Sequence, residues 1–388
     1  MNDYVIRVGD SPRAVDPHAW DTLLAAQDHA TPFMKHAYLA ALHDSGCARS
    51  ATGWDTNLIC LYQADSLVAA CAVYTKGHSF GEYVFDWAWA NAYAQHGVAY
   101  YPKAVVAVPF TPVPGTRLLA KDSASRNALL QALLSWCKSS GMSSLHLLFG
   151  AKEDIATCAA RGLMLRHTVQ FHWTNANPAY ASFEEFLASL SQEKRKKIRQ
   201  ERRKVSQAGV CFRHALGSGI QPADWDFFYR CYERTYLEHG NAPYLNRDFF
   251  RRIAVDLPEA WLMFTAERDG APIASSLIGL GRDASGAARV AYGRYWGALE
   301  RVDCLHFEAC YYQPLLWCIA NGVERFEGGA QGEHKMARAL MPVKTSSAHW
   351  LAHPDFADAV ARYLQREDEG VSNYMDELQA RAPFRNPD

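Results

Sequence analysis

Two related mixed α/β domains are the fold class this sequence predicts, and three repeated observations predict it. First, a hairpin pattern occurs once in each half. Residues 57–75 read as two strands turning at Ala64-Asp65-Ser66, and residues 261–279 read the same way, turning at Asp269-Gly270. Second, a helix-to-strand junction occurs twice: Trp136-Cys137 followed by Gly141 matches Trp317-Cys318 followed by Gly322. Each glycine stands where a helix ends in the left-handed conformation, and each precedes an apolar strand. Third, the order after each hairpin is the same: an aromatic-rich extended stretch, a helix, a strand. The expected domains are 1–175 and 176–388, with a boundary near Asn175-Ala-Asn-Pro178.

The elements follow in order. Helices are expected at 16–27 and 32–44, the first capped by Asp16 with Pro17 in its first turn. After the hairpin, Asp86, Trp87, Trp89, Tyr100, Tyr101 and Lys103 belong to the extended aromatic stretch. A helix at 153–161, a turn at Gly162 and a strand at 165–173 close the first half. The second half opens with a basic helix at 191–207, whose thin apolar seam is Ile198 and Val205, and a strand at 210–214. The helix at 222–239 carries Trp225, Phe228, Tyr229, Tyr232 and Tyr236 on one face, a core stripe with no ligand role. Another helix starts at the Asn246 cap, and the tail at 354–381 is helical and packs by one face.

Composition narrows the function class. Apolar and charged fractions of 49% and 21% are those of a globular chain. No apolar stretch approaches the ~18 to 20 residues a membrane span needs, and the first residues lack a signal-peptide pattern, so a cytoplasmic protein without integral membrane association is expected. Ten cysteines occur singly and read as free, mostly buried thiols, with no disulfide framework and no metal site. The net charge of −1 conceals one segment: between Lys194 and Lys204 stand eight cations and a single acid, Glu201. Like charges at helical spacing repel. Lys194, Arg195, Lys197, Arg199, Arg202 and Arg203 are therefore candidates for binding phosphates, of RNA or of a nucleotide-linked donor. A solvated charged helix is the plain alternative.

Four segments of the second half, 183–203, Tyr292-Gly-Arg-Tyr-Trp-Gly297, Leu305-His-Phe-Glu-Ala-Cys-Tyr-Tyr312 and Glu327-Gly-Gly-Ala-Gln-Gly-Glu-His-Lys335, resemble the FemAB-like predicted N-acyltransferases. Phe85-Asp-Trp-Ala-Trp89, Tyr100-Tyr-Pro-Lys103 and Val108-Pro-Phe-Thr-Pro112 in the first half do so too. The resemblance covers nearly the whole chain and implies two tandem GNAT-like domains. It also implies kinship with the Fem transferases, which take an acyl group from aminoacyl-tRNA.

Transfer of an acyl group to an amine requires deprotonation of the amine, stabilisation of the carbonyl oxygen as it gains charge, and a hold on the donor. Three glycines within 327–332 at the end of a buried strand mean a tight turn or a close approach. Glu327, Gln331, Glu333, His334, Lys335 and Arg338 cluster there. Fem-like transferases carry a lysine just after this strand; Lys335 matches it by position, although Glu-His-Lys departs from their Phe-Lys pattern. The catalytic candidates are Lys335, Glu308, His306 and Glu327. Substrate-binding candidates are Arg294, Trp296, Tyr312, Gln331, His334 and Arg338, with Asp86, Trp87 and Lys103 from the first half. A structural pairing of Arg294 with Glu327 is the plain alternative.

The segment Arg294–Leu299 is the nearest approach to the pyrophosphate-binding turn of acetyl-CoA enzymes. It lacks the final small residue and is followed by Glu300. The expected activity is therefore N-acyl transfer to a primary amine of a small molecule or peptide, with aminoacyl-tRNA favoured over acyl-CoA as co-substrate and no tightly bound cofactor. The alternatives are an acyl-CoA-dependent N-acetyltransferase and a catalytically silent GNAT-fold protein that binds a cell-envelope precursor or RNA.

Overall fold

A computed structural model describes residues 4–330 and 332–385. The chain forms two compact units: residues 1–168 with 344–373, and residues 169–343 with 374–388. Residues 344–373 thus group with the first unit, although they lie far along the second half of the sequence.

In the first unit the sheet runs, in spatial order, Val5–Gly9, Asp55–Gln63, Ser66–Lys76, Lys103–Val106 and Ser144–Leu147. Residues Ala348–Leu351 then pair antiparallel to the last of these. The hairpin turns where expected: Ala64 and Asp65 both have positive φ, the geometry that matches strand twist in a two-residue turn. Lys103–Val106 and Ser144–Leu147 are parallel, and the helix Ser123–Ser139 crosses between them. Its Leu129, Leu130, Leu133 and Cys137 pack on Ile59, Val73, Val106, Leu145 and Leu147. Helices Pro17–Ala25 and His36–Asp44 form as read, and Asp16 caps the first by accepting from the Ala19 N–H at 2.9 Å. One expectation is corrected. The aromatic stretch is not extended throughout, because helix Trp87–Gln95 occupies its middle, where alanines outnumber β-branched residues.

The second unit repeats the plan. Val210–Leu216, Trp261–Arg268, Ala271–Arg282 and Ala288–Ala298 form an antiparallel run. Arg325–Ala330 lies parallel to the last of these and antiparallel to residues up to Thr174. The turn at Asp269 and Gly270 again has two positive φ angles. The aromatic stripe of helix Pro222–Glu238 meets Phe250, Trp261 and Tyr295 in a packed cluster. Helix Arg247–Asp256 starts at its Asn246 cap. Gly297 is required by contact: a β-carbon there would lie 1.9 Å from the Cys231 carbonyl oxygen, so the helix and strand approach only because the side chain is absent. Both helix-to-strand junctions turn on left-handed glycines, Gly141 and Gly322. No helix among the described residues is long and apolar enough to cross a membrane.

Candidate active site

Parallel pairing between Ala288–Ala298 and Arg325–Ala330 lasts for only three residues, Val290–Tyr292 against Arg325–Glu327. Beyond it the ladder stops and a cleft of about 140 Å³ opens. Gly293, Arg294, Tyr295 and Trp296 line one side, Phe326 and Gly328 the other, and His306, Cys310 and Tyr311 the roof. Two features of the backbone make this opening. The neighbouring strand pairs Leu277 with Tyr295 but Ile278 with Gly293, so Arg294 is the extra residue of a bulge. Simple alternation, which would put Arg294 and Trp296 on one face, fails at that point.

The second feature is in the helix above. Residues Leu305–Ala320 form one helix interrupted by a π turn at Glu308–Tyr312. Pro314 supplies no N–H to continue the α pattern. The Gln313 N–H instead reaches back five residues to the Glu308 carbonyl. The Ala309 carbonyl, left over by this widening, accepts from the Ser276 hydroxyl at 2.7 Å. The widened turn sets Cys310 and Tyr311 over the cleft, and π turns of this kind concentrate at functional sites.

Lys335 is buried at the open end of the strand. Its ammonium donates to the Gly328 carbonyl at 2.7 Å and to that of Gly329 at 3.3 Å. Burial lowers its pKa to about 8, with nearby Cys310 acting in the opposite sense. The strand's carbonyls can come this close because Gly328 has no side chain: a β-carbon there would meet Leu340 at 2.3 Å. His306 sits in the same cleft, its ring 5.4 Å from Trp296 and 5.7 Å from both Phe307 and Tyr311. These rings strip water from the imidazole. Together with the charges of His334, Arg338 and Lys335 they hold it below its ordinary range, neutral at pH 7, while one edge stays open to solvent. His334 stands 3.5 Å from the Tyr311 hydroxyl, and burial followed by the Arg338 charge lowers its pKa too.

Four of the expected assignments are displaced. Glu308 does not face the cleft. It is buried against the basic helix, accepting from Arg202 Nε at 3.2 Å and Gln313 Nε2 at 2.8 Å; burial raises its pKa and Arg202 opposes that. Glu327 accepts from Arg325 at 2.9 Å, so its partner is not Arg294, and its second oxygen lies 3.9 Å from His172 Nε2. Strand alternation puts it on the face opposite Phe326 and the cleft. Burial pushes its carboxyl up to about 7. Arg338 is buried and committed to structure: it donates to the His334 carbonyl at 2.6 Å and to Glu201 at 2.7 Å, and stacks 3.7 Å above the Phe307 ring. Tyr312 donates to the same Glu201 carboxylate, away from the cleft. Gln331 lies outside the described residues.

The basic helix Gln192–Gln207 buries Ile198 and Val205 as its seam, and with them Glu201. Arg199 is paired with Glu184 and Arg202 with Glu308. Lys194 is 3.3 Å from its neighbour Glu193. Among the described residues Arg195, Lys197 and Arg203 have no carboxylate within ion-pair distance. Arg199, Arg202 and Arg203 line a groove of about 500 Å³ that Glu184 and Glu308 also border. The segment Arg294–Leu299 is strand end rather than a turn, and residues 299–304 separate it from the helix that starts at Leu305. A phosphate-cradling turn is therefore not formed by those residues.

In the first unit Asp86 and Lys103 do meet, at 2.5 Å, but inside the protein. Lys103 is fully buried and also donates to Ser79 and to Glu82, each at 2.8 Å. Asp86 accepts from the Tyr100 hydroxyl at 2.6 Å. Burial alone would raise its pKa; the Lys103 charge overrides that and holds the carboxyl well below the usual carboxylate range. Glu82 is pushed up by burial to about 7, and Lys76, 3.8 Å away, down to about 7 by the same cause. The segment is inverted relative to most protein surfaces. Glu82 and Asp86 are buried, whereas Phe80 and Phe85 are each 57% exposed and Tyr83 and Trp87 each 38%. Trp87 is thus a surface residue against Phe80, and Asp86 and Lys103 are anchors rather than substrate contacts. His349 and His353 have the spacing of helical metal ligands, but a strand and a turn carry them, and His349 Nδ1 lies 2.7 Å from His146 Nδ1.

The sequence reading did not find Cys310, Tyr311, Ser276 or the Gly328 carbonyl as parts of the cleft. Pro314 is the one readable sign of the π turn that brings them in.

A family model described as FemAB-like, peptidoglycan biosynthesis/recognition, matches residues 11–386. Among solved structures, the C-terminal domain of a protein assigned as a lysylphosphatidylglycerol synthetase from Agrobacterium fabrum aligns with TM-score 0.56 at 11% identity. That alignment covers 90% of this chain and 96% of that one. FemX aligns with TM-score 0.54 at 9% identity, covering 89% and 98%. L-PGS from Bacillus licheniformis aligns with TM-score 0.54 at 11% identity, covering 92% and 98%. At such identities the likeness is one of fold, and the fold is two tandem GNAT-like units. No curated protein matches the sequence significantly.

Proposed function

The chain belongs to the FemAB-like family, and from that premise we propose that it is an N-acyltransferase moving an aminoacyl or acyl group from an activated donor onto a primary amine. The observation that carries this reading is the buried Lys335 ammonium, held on the carbonyl of Gly328, a residue that lines the cleft where the two parallel strands part. In the reaction the amine nitrogen attacks the donor's carbonyl carbon and a C–N bond forms. The carbonyl oxygen takes the negative charge, and the donor's C–O or C–S bond then breaks. The ammonium of Lys335 meets the oxyanion in a site with little water, where such a charge acts strongly. The amine's proton goes to a base in the cleft. His306, uncharged at pH 7, fills that role better than Glu308, which is engaged with Arg202.

Aminoacyl-tRNA is the donor we favour. Arg294–Leu299 form no pyrophosphate turn, and the basic helix presents Arg195, Lys197 and Arg203 without carboxylate partners, together with the arginine-lined groove. An amine-bearing small molecule or peptide is the acceptor. Incubating the protein with labelled aminoacyl-tRNA or labelled acyl-CoA and a set of primary amines tests both points. Acceptor-dependent loss of label from one donor, abolished in Lys335→Ala, is the expected result. Unchanged turnover in that variant removes Lys335 from the mechanism. Deacylation of acyl-CoA alone replaces the tRNA branch with the acyl-CoA one.

A further inference from the structure

The groove beside the basic helix contains a buried carboxylate that the acyl-transfer reaction does not use. Glu308 is 4% exposed and borders that groove, which shares no lining residue with the Lys335 cleft. Arg199, Arg202, Arg203 and Ser206 stand at i, i+3, i+4 and i+7 of helix Gln192–Gln207, so one face turns three guanidinium groups and a hydroxyl to the groove. Like charges at this spacing repel. The two carboxylates of the groove meet them in different ways. Arg199 Nη2 donates to Glu184 at 2.7 Å, with both side chains more than half exposed. Such a pair is weak and gives way to a better anion.

Glu308 holds its arginine differently. Arg202 Nε donates to both of its oxygens at 3.2 Å, and Gln313 Nε2 donates to one of them at 2.8 Å. The Phe183 ring lies 5.0 Å from the same guanidinium. Arg202 is thus fixed through Nε, while neither of its Nη nitrogens donates a hydrogen bond among the described residues. Arg203 makes no hydrogen bond or ion pair among them. Three guanidinium groups on one face match a group with several acceptor oxygens and no donors. A phosphate is such a group, whereas a carboxylate has only two oxygens to share.

We infer that the groove is a phosphate-binding site anchored on Arg202, with Glu308 as its positioning residue. The inference rests on the donor reading only for the molecule that carries the phosphate, an RNA strand rather than a free nucleotide. Glu308 also opens the π turn that sets Cys310 and Tyr311 over the cleft, so one carboxylate ties the donor's anchor to the roof of the acyl site.

Calorimetric titration of the full chain with inorganic pyrophosphate at low salt tests the site. Saturable binding is expected, weakened about tenfold in Arg202→Gln and unchanged in Lys335→Ala. Coulomb's law alone says that deleting a carboxylate from an anion site tightens binding. Glu184→Gln should do so, by about threefold, because it frees Arg199. Glu308→Ala should do the reverse and weaken binding about threefold, since the ligand must then order Arg202 itself. Glu308→Gln, which keeps an acceptor for Arg202 Nε, restores most of the affinity. Circular dichroism checks that each variant is folded, and Arg202→Gln with Glu184→Gln decides the site even if Glu308→Ala is not. Equal or tighter binding in folded Glu308→Ala overturns the positioning role. Equal affinity in the unaltered chain and Arg202→Gln, or no saturation up to about 10 mM, overturns the site. Unacylated tRNA is expected to displace the pyrophosphate. Arg202-dependent binding that tRNA leaves undisturbed keeps the phosphate site and takes RNA out of it, a result that counts against the aminoacyl-tRNA donor alone.

Discussion

Lys335 shows what a single residue gains from its surroundings. Outside the protein its ammonium titrates far above neutrality; buried beside the Gly328 and Gly329 carbonyls it titrates near 8. If the charged form meets the oxyanion, the contribution of Lys335 to the rate is full below that value and falls about tenfold per pH unit above it. Lys335→Arg, which keeps the charge at every accessible pH, should lose that alkaline fall even if its rate is lower; the pH profile of both proteins checks it. Lys335→Ala should lower the rate about 100- to 1000-fold, the usual effect of removing one oxyanion donor, while the chain stays folded. Gly297→Ala tests packing at the same scale. The added methyl group has no room against the Cys231 carbonyl, and destabilisation by about 1–3 kcal/mol in denaturant titrations is expected. The lysine was legible in the sequence because strand, glycines and lysine are contiguous. The companions of Glu327 were not, because His172 reaches it from a strand more than 150 residues away.

At the scale of elements, the basic helix is fastened by its one buried acid. Glu201 accepts from Arg338 and Tyr312, so one carboxylate joins the basic helix, the π turn and the glycine-rich loop that presents Lys335. Glu201→Ala leaves the Arg338 guanidinium buried without its counter-charge, and a loss of about 3 kcal/mol is expected in chemical unfolding. A destabilisation below about 0.5 kcal/mol would show that the pair carries no such weight. The helix itself was readable from its sequence, down to the seam of Ile198 and Val205. Its connections were not, since charge runs read as solvated faces and nothing local marks one glutamate for burial. The π turn lies between these cases. Pro314 announces an interrupted hydrogen-bond ladder, but whether a helix kinks, breaks or widens there depends on a partner such as Ser276, supplied by a distant strand.

Over the whole molecule the net charge is −1, so attraction to a polyanion depends on how the charge is distributed, not on its sum. Binding of tRNA is expected to weaken steeply as salt rises. The double change Lys197→Glu with Arg203→Glu should lower affinity at least about tenfold at low salt. Filter binding over a salt series checks both, and affinity that ignores salt or survives the double change would remove the basic helix from donor binding. The repeat was legible at this scale because hairpin turns and left-handed glycines are local codes. Asp65, Asp269, Gly270, Gly141 and Gly322 adopt the left-handed conformations their types suggest, and Ala64 is carried into the same region by the tight turn. The grouping of residues 344–373 with the first unit has no local code. It rests on the pairing of Ala348–Leu351 with Ser144–Leu147, a contact between segments some 200 positions apart.

The inverted segment around Glu82 has a consequence for anyone altering this protein. A substitution scan guided by hydropathy would spare Phe80, Tyr83, Phe85 and Trp87 and treat Glu82 and Asp86 as dispensable. The tolerance map should come out the other way round: serine at the aromatic sites leaves abundance of the folded chain almost untouched, while leucine at either acid strands Lys103 or Lys76 in an oily interior and empties the soluble fraction.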